Sequence, residues 1–369
     1  MDAGQSSARK WAPVLASLAV IALAGTLVGA LPWFVGASWT AIGSTLAGVP
    51  TLILVGLVLL WFAGLLVHLP VLMAAMPGLS ARQALTLNLS GSAVSNVLPF
   101  GGPAGMGLGY AMARSWGFRS DSFASYTVST NLWNAVGKFV MGLGVLAVAA
   151  VIGTELPSGL STIVISASVF MALSAGVAAL VFRSQGATAA TGRFLDALVV
   201  RFRPHADPVA ATRWLVAGRA ELMIAVRAGW GRMSAGVLTY LCLQAALMFA
   251  CLNAVGAGTT VSVVLIAFAI ERLISLAPIT PGAAGVAELG TVAALHWYGV
   301  DPVAAATGVL LYRTLIFAIE IPIGGAIALT WLGRARRASK AHAAELELQA
   351  REGGDTELVA VAPTNGFAA

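Results

Sequence analysis

Six apolar stretches, each long enough to cross a lipid bilayer as an α-helix, dominate this sequence. They cover residues 12–31, 50–76, 122–152, 160–182, 235–255 and 303–333. A transmembrane helix needs about 20 predominantly apolar residues, because the hydrocarbon core of a bilayer is about 30 Å thick. The chain is 59% hydrophobic and only 10% charged, whereas a soluble domain carries about 25% charged residues. We therefore predict an all-α polytopic membrane protein without a soluble catalytic domain.

The positions of the basic residues predict how these spans are oriented. Of the 21 lysines and arginines, 18 lie in the segments predicted to face the cytoplasm, and none lies in the loops 32–49, 153–159 and 256–260. Cytoplasmic loops are enriched in Lys and Arg. We therefore predict a multi-pass protein of a prokaryotic plasma membrane, with both termini in the cytoplasm. The same distribution argues against nucleic-acid binding, despite the net charge of +6.

One extended polar segment interrupts the membrane part. Residues 184–232 are rich in arginine, so we predict a cytoplasmic amphipathic connector, with 208–232 lying as a helix on the anionic inner leaflet. Residues 1–333 then form a single membrane domain. Acidic residues, alanine and glycine are mixed in 334–369, which predicts a largely disordered cytoplasmic tail.

Two shorter segments contain proline and glycine where a membrane helix would otherwise continue. The first, 84–117, contains LPFGGPAGMGLG at 98–109, and the second contains LAPITPGAAGVAELG at 276–290. The arms on either side of each break have too few residues to cross a bilayer. We therefore predict two re-entrant hairpins in addition to about six full spans.

A shift of 182 residues superimposes the two broken segments without a gap, so that Pro99 falls on Pro281. This predicts an inverted repeat with halves at about 50–182 and 235–333. Chance similarity is the alternative, because few residues are identical. In transporters built from inverted repeats, short helices interrupted by proline and glycine mark the binding site.

Ionisable side chains inside the predicted membrane segments are the main candidates for function. These residues are Lys138, Glu271, Arg272, Glu288, Arg313 and Glu320. A charge at the centre of a membrane helix costs about 2.5–3.5 kcal/mol, and pairing between the positive and negative side chains lowers that cost. Arg313 and Glu320 are two helical turns apart and would share a helix face. We therefore expect Glu288 and Glu320 to be the partners of Arg313.

Two roles for these charges are open on the residues alone. Lys138, Arg272 and Arg313 would hold a lipid phosphate while its acyl chains stay in the bilayer, since a guanidinium matches phosphate geometry. In the alternative, the charges form structural ion pairs that lock the helices together. The full set of predicted substrate-binding residues is Asn96, Pro99, Asn131, Lys138, Glu271, Arg272, Pro281, Gly282, Gly285, Glu288, Arg313 and Glu320.

The sequence contains no pattern typical of a metal, nucleotide or catalytic-triad site. His68 and His296 have no partners at ligand spacing. The glycine-rich run GGPAGMG lacks the Lys-Ser/Thr pair of a phosphate-binding loop. We therefore expect no cofactor, and transport that runs downhill or is driven by a gradient.

The second broken segment also carries a family motif. It is Pro-Gly-x-x-Gly-x-x-Glu, formed by Pro281, Gly282, Gly285 and Glu288, and Arg313 follows it in the last span. This pattern resembles the flippase-like family, which is also called the lysylphosphatidylglycerol synthase transmembrane family or the UPF0104 integral membrane proteins.

The first broken segment is similar to that family's other signature through Asn96, Pro99, Gly101 and Arg114. The resemblance covers about residues 10–333 and implies a lipid-translocating or lipid-binding membrane unit. In the bifunctional synthases of the family, a cytoplasmic aminoacyltransferase domain follows this unit. Here about 36 residues follow the last predicted span, so we do not expect synthase activity.

The leading functional hypothesis is a flippase-like transporter that moves a phospholipid or a lipid-linked headgroup between leaflets. The alternative is an accessory or scaffold subunit of a lipid-glycan or envelope-lipid biosynthesis enzyme. Such a subunit would recruit a glycosyltransferase or an aminoacyltransferase through 184–232. A membrane enzyme acting on polyprenyl phosphates would need paired aspartates at one interface, and the sequence has none. We therefore expect a protein that is not an enzyme and whose partner is a membrane lipid.

Overall fold

The computed structural model describes residues 22, 25–34, 36–97, 101–155, 173, 176, 180, 183–202, 207–276 and 280–337. Within these residues the chain consists of helices and connecting turns, and it contains no strand. The predicted all-α fold is confirmed. Most of the predicted spans 12–31 and 160–182, together with Pro99 and the tail from residue 338, lie outside the described residues.

The helices are numbered here in chain order. They are α1 (Gly25–Phe34), α2 (Trp39–Ala47), α3 (Thr51–Ala75), α4 (Ala81–Val97), α5 (Gly101–Ser115), α6 (Ser120–Val151), α7 (Gln185–Phe202), α8 (Ala210–Ala254), α9 (Val261–Ile274), α10 (Val286–Trp297) and α11 (Pro302–Arg337). A 3₁₀ turn at Pro281–Ala283 lies between α9 and α10, and a π-helical turn at Thr314–Ala318 lies inside α11.

Four of the described helical stretches are long and apolar enough to cross a membrane. They are α3, α6, α11 and the Gly229–Ala254 part of α8. These stretches match the predicted spans 50–76, 122–152, 303–333 and 235–255. In addition, α1 and α2 meet at 91° and make a fifth crossing if they are counted as one bent span. The predicted external segment 32–49 therefore contains a helix, α2.

Glycines allow α3, α6 and α8 to pack closely. A Cβ atom at Gly236 of α8 would lie 2.4 Å from Val71 Cγ2 of α3, and one at Gly137 of α6 would lie 2.4 Å from Val237 Cγ1 of α8. In lipid no hydrophobic force drives helices together, so close contacts at small residues supply the packing. Large apolar side chains such as Leu52, which is 82% exposed, cover the outside of the described part, as a lipid-facing surface requires.

The first broken segment forms a pair of short antiparallel helices, α4 and α5. A Cβ atom at Gly105 of α5 would lie 2.8 Å from the Gly91 carbonyl oxygen of α4, and the Ser90 hydroxyl lies 3.4 Å from Met112 Sδ. The helices have 17 and 15 residues, fewer than the roughly 20 that a full crossing needs. The predicted pairing of two half-length helices is confirmed, although the break itself, at 98–100, lies outside the described residues.

The second broken segment has a similar layout, with α9 and α10 of 14 and 12 residues. Gly290 of α10 faces α9, where a Cβ atom would lie 2.3 Å from Ile274 Cδ1. Three residues between the two helices have positive φ: Gly282 at 59°, Ala283 at 56° and Gly285 at 86°. Left-handed backbone is uncommon for a residue with a Cβ atom such as Ala283, so the path of this break is tightly constrained.

Two of the helices begin at positions separated by the predicted shift of 182 residues. α6 begins at Ser120 and α11 begins at Pro302, which is 182 residues later. Two short helices precede each of them, namely α4 and α5 before α6, and α9 and α10 before α11. This order agrees with the repeat. The opposite orientation of the two halves across a membrane stays a prediction.

The polar connector differs from the expected surface helix. Residues 210–232 are part of α8, a 45-residue helix that also contains the membrane stretch. At about 1.5 Å per residue, this helix is far longer than a bilayer is thick. α7 packs against its first turns, where a Cβ atom at Gly192 would lie 2.5 Å from Thr212 Cα. The connector is therefore a helical hairpin continuous with a membrane helix, rather than a separate helix on the leaflet.

Candidate functional site

Four of the predicted membrane charges meet where the second broken segment contacts the last span. Glu271 and Arg272 lie at the end of α9, Glu288 lies in the first turn of α10, and Arg313 lies in α11 just before the π-helical turn. Their side chains are between 1% and 8% exposed. We call Glu271, Arg272, Glu288 and Arg313 the ion network.

Arg313 uses every nitrogen of its guanidinium group. Nε donates to Glu288 Oε1 at 2.7 Å, and Nη1 donates to Glu271 Oε1 at 3.3 Å. Nη2 donates to the Gly282 carbonyl oxygen at 2.8 Å. The group also lies 5.2 Å from the centroid of the Phe317 ring, which is cation–π distance. The predicted partnership between Arg313 and Glu288 is confirmed.

Residues of the family motif bind the guanidinium group of Arg313. Glu288 Oε2 accepts a hydrogen bond from the Gly285 backbone N–H at 2.7 Å, so the carboxylate caps the amino-terminal end of α10 while its other oxygen holds Arg313. A carboxylate at this helix end also interacts favourably with the helix dipole. Gly282 faces Phe317, and a Cβ atom there would lie 2.0 Å from a ring carbon. Glycine is therefore required at this position.

Arg272 is held in a similar way, and it shares one partner, Glu271, with Arg313. It pairs with the neighbouring Glu271, and its Nη1 donates to Gln244 Oε1 of α8 at 2.8 Å. Its Nη2 donates to the Tyr312 hydroxyl at 3.3 Å, and Phe268 lies 4.9 Å below the guanidinium. Glu271 thus bridges the two arginines. The network joins α9, α10 and α11, and Gln244 connects it to α8. Its two arginines and two glutamates have formal charges that sum to zero.

Lys138 lies close to the ion network without belonging to it. It is half-buried on α6, within electrostatic range of Glu271, Arg272 and Arg313. Among the described residues it forms no hydrogen bond and no ion pair. α6 is held against α9 at Gly142, where a Cβ atom would lie 2.8 Å from Leu273 Cγ. Among the described residues, Lys138 therefore has no counter-ion of its own, beside a network whose formal charges cancel.

The model of the family described as the lysylphosphatidylglycerol synthase TM region matches residues 14–324. The chain belongs to this family. The match includes every residue of the ion network and confirms the family suggested by the Pro-Gly-x-x-Gly-x-x-Glu motif. Membership makes the chain a multi-pass membrane protein related to phospholipid metabolism. No curated protein and no solved structure matches the chain.

Glu320 lies apart from the family's charged motif, contrary to expectation. It forms no ion pair with Arg313, and instead lines a cavity with Trp61, Tyr240 and Gln244. The cause is the π-helical turn, in which Ile319 N donates to Thr314 O at 2.8 Å, five residues back. Such a turn contains more residues than an α-helical turn. It therefore rotates Glu320 away from the face that carries Arg313.

Two further predicted residues, Asn96 and Asn131, lie outside the network. Asn96 is half-buried near the end of α4, and Asn131 is exposed on α6, where its Nδ2 donates to the Thr127 carbonyl oxygen at 2.8 Å. Pro99 is not among the described residues, and Pro281 begins the 3₁₀ turn. In the described part, no three His, Cys, Asp or Glu side chains are grouped as metal ligands.

Sequence reasoning missed two polar partners of the network, Gln244 and Tyr312. Gln244 is an isolated amide in an otherwise apolar stretch of α8 and is 8% exposed. A polar residue inside a membrane helix commonly forms a hydrogen bond to another helix. The position of Gln244 in the sequence could therefore have identified it as a candidate partner. Tyr312 directly precedes Arg313 and is fully buried, but no sequence pattern indicates that its hydroxyl would reach Arg272.

Proposed function

We propose that this protein moves an anionic phospholipid or lipid-linked headgroup between the two leaflets, with Lys138 as the first cation that the phosphate meets. The observation that carries the proposal is the position of Lys138, which is half-buried in a membrane helix beside the ion network and has no counter-ion among the described residues. Ionisable residues inside membranes are rare and commonly mark substrate pathways. A phosphate group would supply the missing negative charge.

The ion network has a different role in this proposal. Both guanidinium groups are occupied by carboxylates and neutral acceptors. A phosphate entering beside Lys138 would compete with Glu271, the residue that bridges the two arginines. Arginine binds carboxylates and phosphates with the same planar fork of donors, so an exchange of partners conserves hydrogen bonds. The network thus holds the helices together in the absence of lipid, and lipid binding opens it.

In this role the chain has a defined orientation in the membrane and does not act as an enzyme. Both termini and the α7–α8 hairpin lie in the cytoplasm of a prokaryotic cell, and the two broken segments enter the bilayer from opposite sides. Oppositely oriented repeats with interrupted helices place a substrate site near the bilayer midplane. The protein itself makes and breaks no covalent bond of the lipid.

Lipid flipping in proteoliposomes tests the proposal through Lys138. A membrane-impermeant reductant, added outside the proteoliposomes, destroys the fluorescence of labelled phosphatidylglycerol in the outer leaflet. The extent of the fluorescence loss reports the fraction of labelled lipid that reaches that leaflet. Lys138→Met should abolish flipping and Lys138→Arg should retain it, because the second variant keeps the charge. Val140→Met on the exposed face of the same helix is the matched control and should leave the rate unchanged. Undiminished flipping by Lys138→Met would rule out the phosphate role.

A scaffold role is the second candidate, and one observation favours it. The α7–α8 hairpin carries large apolar side chains on its surface, with Phe194 68% exposed and Trp214 74% exposed. A partner glycosyltransferase or aminoacyltransferase would cover such a surface. Replacing both residues by serine should then abolish lipid modification in cells while flipping by the purified protein is unchanged.

A further inference from the structure

Glu320 is a buried carboxyl group without a cation. It lies half-way along α11 and is 7% exposed. None of the described lysines and arginines forms an ion pair with it. Its polar neighbours are the Ser92 hydroxyl and the indole N–H of Trp61, both close enough to interact with the carboxyl group. Ionised, it would be an isolated negative charge inside the membrane.

Such a charge is strongly disfavoured by its surroundings. The cavity beside Glu320 is lined mainly by apolar side chains, among them Leu65, Leu243 and Leu247. Removing an ion from water without a partner costs far more than removing a neutral acid, so the group takes up a proton instead. Burial in this cavity therefore favours the neutral form of the carboxyl group.

Two further titratable side chains continue from Glu320 through the core. Tyr240 of α8 lines the same cavity and is in electrostatic contact with Glu320. The ring of His68, on α3, lies 4.5 Å from the Tyr240 ring, centroid to centroid. His68 is 4% exposed, and its Nδ1 has no hydrogen-bond partner in the described part. A carboxyl, a phenol and an imidazole therefore lie in series inside the membrane.

We propose that Glu320 is a proton-binding site, loaded through Tyr240 and His68. During loading, an N–H bond of His68 breaks as the Tyr240 oxygen takes up that proton, and the Tyr240 O–H bond breaks as an O–H bond forms on one Glu320 oxygen. Unloading reverses both transfers. No other atom or electron is transferred. A tyrosine hydroxyl and a neutral imidazole can each both donate and accept a hydrogen bond. The three groups therefore contain the elements of a proton relay.

The occupant is a proton rather than a metal cation. Metal ions such as Ca²⁺ and Mg²⁺ require about six oxygen ligands. Among the described residues of the cavity wall, the side-chain oxygens belong to Glu320, Tyr240 and Gln244. Ser92, on α4, adds one hydroxyl from outside that wall. A proton needs a single oxygen and fits a cavity with an otherwise apolar lining.

The proton site also connects to the ion network, and this link rests on the proposed function. Gln244 lines the Glu320 cavity and accepts a hydrogen bond from Arg272 at 2.8 Å. Glu271 and Arg272 both act electrostatically on Tyr240. Opening the network by a lipid phosphate would therefore change the charge that Glu320 experiences. Proton release and lipid entry would be coupled through one glutamine.

Infrared difference spectroscopy on the full-length protein in lipid nanodiscs tests the site directly. The carbonyl stretching band of a protonated carboxylic acid should be present in the wild-type protein at neutral pH and absent from Glu320→Gln. Glu155→Gln, which alters an exposed carboxylate, is the matched control and should retain the band. Trp61→Phe, which removes the neighbouring N–H, should shift the band without removing it. Identical spectra for the wild type, Glu320→Gln and Trp61→Phe would overturn the proposal.

A second measurement separates this inference from the proposed function. An imposed proton gradient should accelerate lipid flipping by the wild type in proteoliposomes and have no effect on Glu320→Gln. If the carboxylic acid band is present but the wild type moves no lipid, the proton site stands and the transport function fails. If the wild type moves lipid at a rate independent of the gradient and the band is absent, the transport function stands and the proton site fails.

Discussion

Arg313 and Glu288 meet at 2.7 Å, Nε to Oε1, although they are 25 residues apart in the sequence. The second oxygen of the same carboxylate caps α10 through the Gly285 N–H. One glutamate thus fixes both the start of a helix and the position of an arginine in the adjoining span. The motif and the last span behave as a single structural unit.

Removing Arg313 should lower the amount of folded protein. Arg313→Ala leaves the Glu288 carboxylate buried without its cation, and breaking a buried pair in this way costs about 3–5 kcal/mol. The double variant Arg313→Met, Glu288→Met removes both charges and should recover most of the folded protein, measured by size-exclusion chromatography of membrane extracts. Arg119→Met breaks an exposed pair with Asp121 and is the control. Equal yields of folded protein for Arg313→Ala and Arg119→Met would contradict a structural role for the Arg313–Glu288 pair.

The same double variant also separates structure from transport. If the network only holds helices together, the Met–Met protein should flip lipid normally. We expect it to fold and yet to flip lipid at a greatly reduced rate, because the fork of donors that exchanges with phosphate is gone. Arg313→Lys should give an intermediate rate, since it keeps the charge and loses the planar geometry.

Gly282→Ala should destabilise the break between α9 and α10. The new methyl group would meet the Phe317 ring at 2.0 Å, and the residue would keep a φ of 59° that favours glycine. Strain of this kind costs of order 1–3 kcal/mol. Gly107→Ala in α5 has open space around it and serves as the control. Thermal unfolding monitored by fluorescence should show a lower midpoint for Gly282→Ala alone.

Asp196 should make the α7–α8 hairpin sensitive to acid. The Thr212 hydroxyl donates to this carboxylate and, with the Ala211 and Thr212 N–H groups, lowers the pKa of Asp196. A carboxyl group with a lowered pKa stabilises the folded state when ionised, and this contribution is lost as the pH falls through the lowered value. The hydrogen-exchange protection factors of residues 185–202, which correct for the pH dependence of intrinsic amide exchange, should therefore fall at acidic pH.

The Asp196→Asn variant supplies the control for that pH dependence. Its protection factors should be lower than those of the wild type at neutral pH and change little on acidification, because the titrating group is absent. Asp121→Asn, which alters an exposed pair on α6, should behave as the wild type does. A wild-type hairpin with the same protection at neutral and acidic pH would contradict the capping role.

Single-cysteine labelling should place the α7–α8 hairpin on the cytoplasmic side. In a background with Cys242 and Cys251 replaced, cysteines at Arg201 and Arg213 should react with a membrane-impermeant reagent only after the cells are opened. Labelling of either position in intact cells would contradict the topology.

Several features were predictable because they depend on local composition. The spans at 50–76, 122–152, 235–255 and 303–333 were identified from apolar length alone, since lipid admits only helices with satisfied backbones. The half-length helices around each break followed from proline and glycine, which interrupt helices wherever they occur. The pairing of Arg313 with Glu288 was also expected, because an unpaired charge in a membrane is so costly.

Other features required the tertiary structure, because they depend on contacts between distant segments. Glu320 was expected beside Arg313 from their spacing of two turns. The π-helical turn at Thr314–Ala318 changes the direction in which Glu320 points relative to Arg313. This turn has no sequence signature of its own. The sequence by itself thus determined that the protein lies in a lipid bilayer, where its spans are, and which charged residues need partners. Tertiary packing decided which partners they obtained, because the geometry of one helical turn and the approach of α8 set the distances between them.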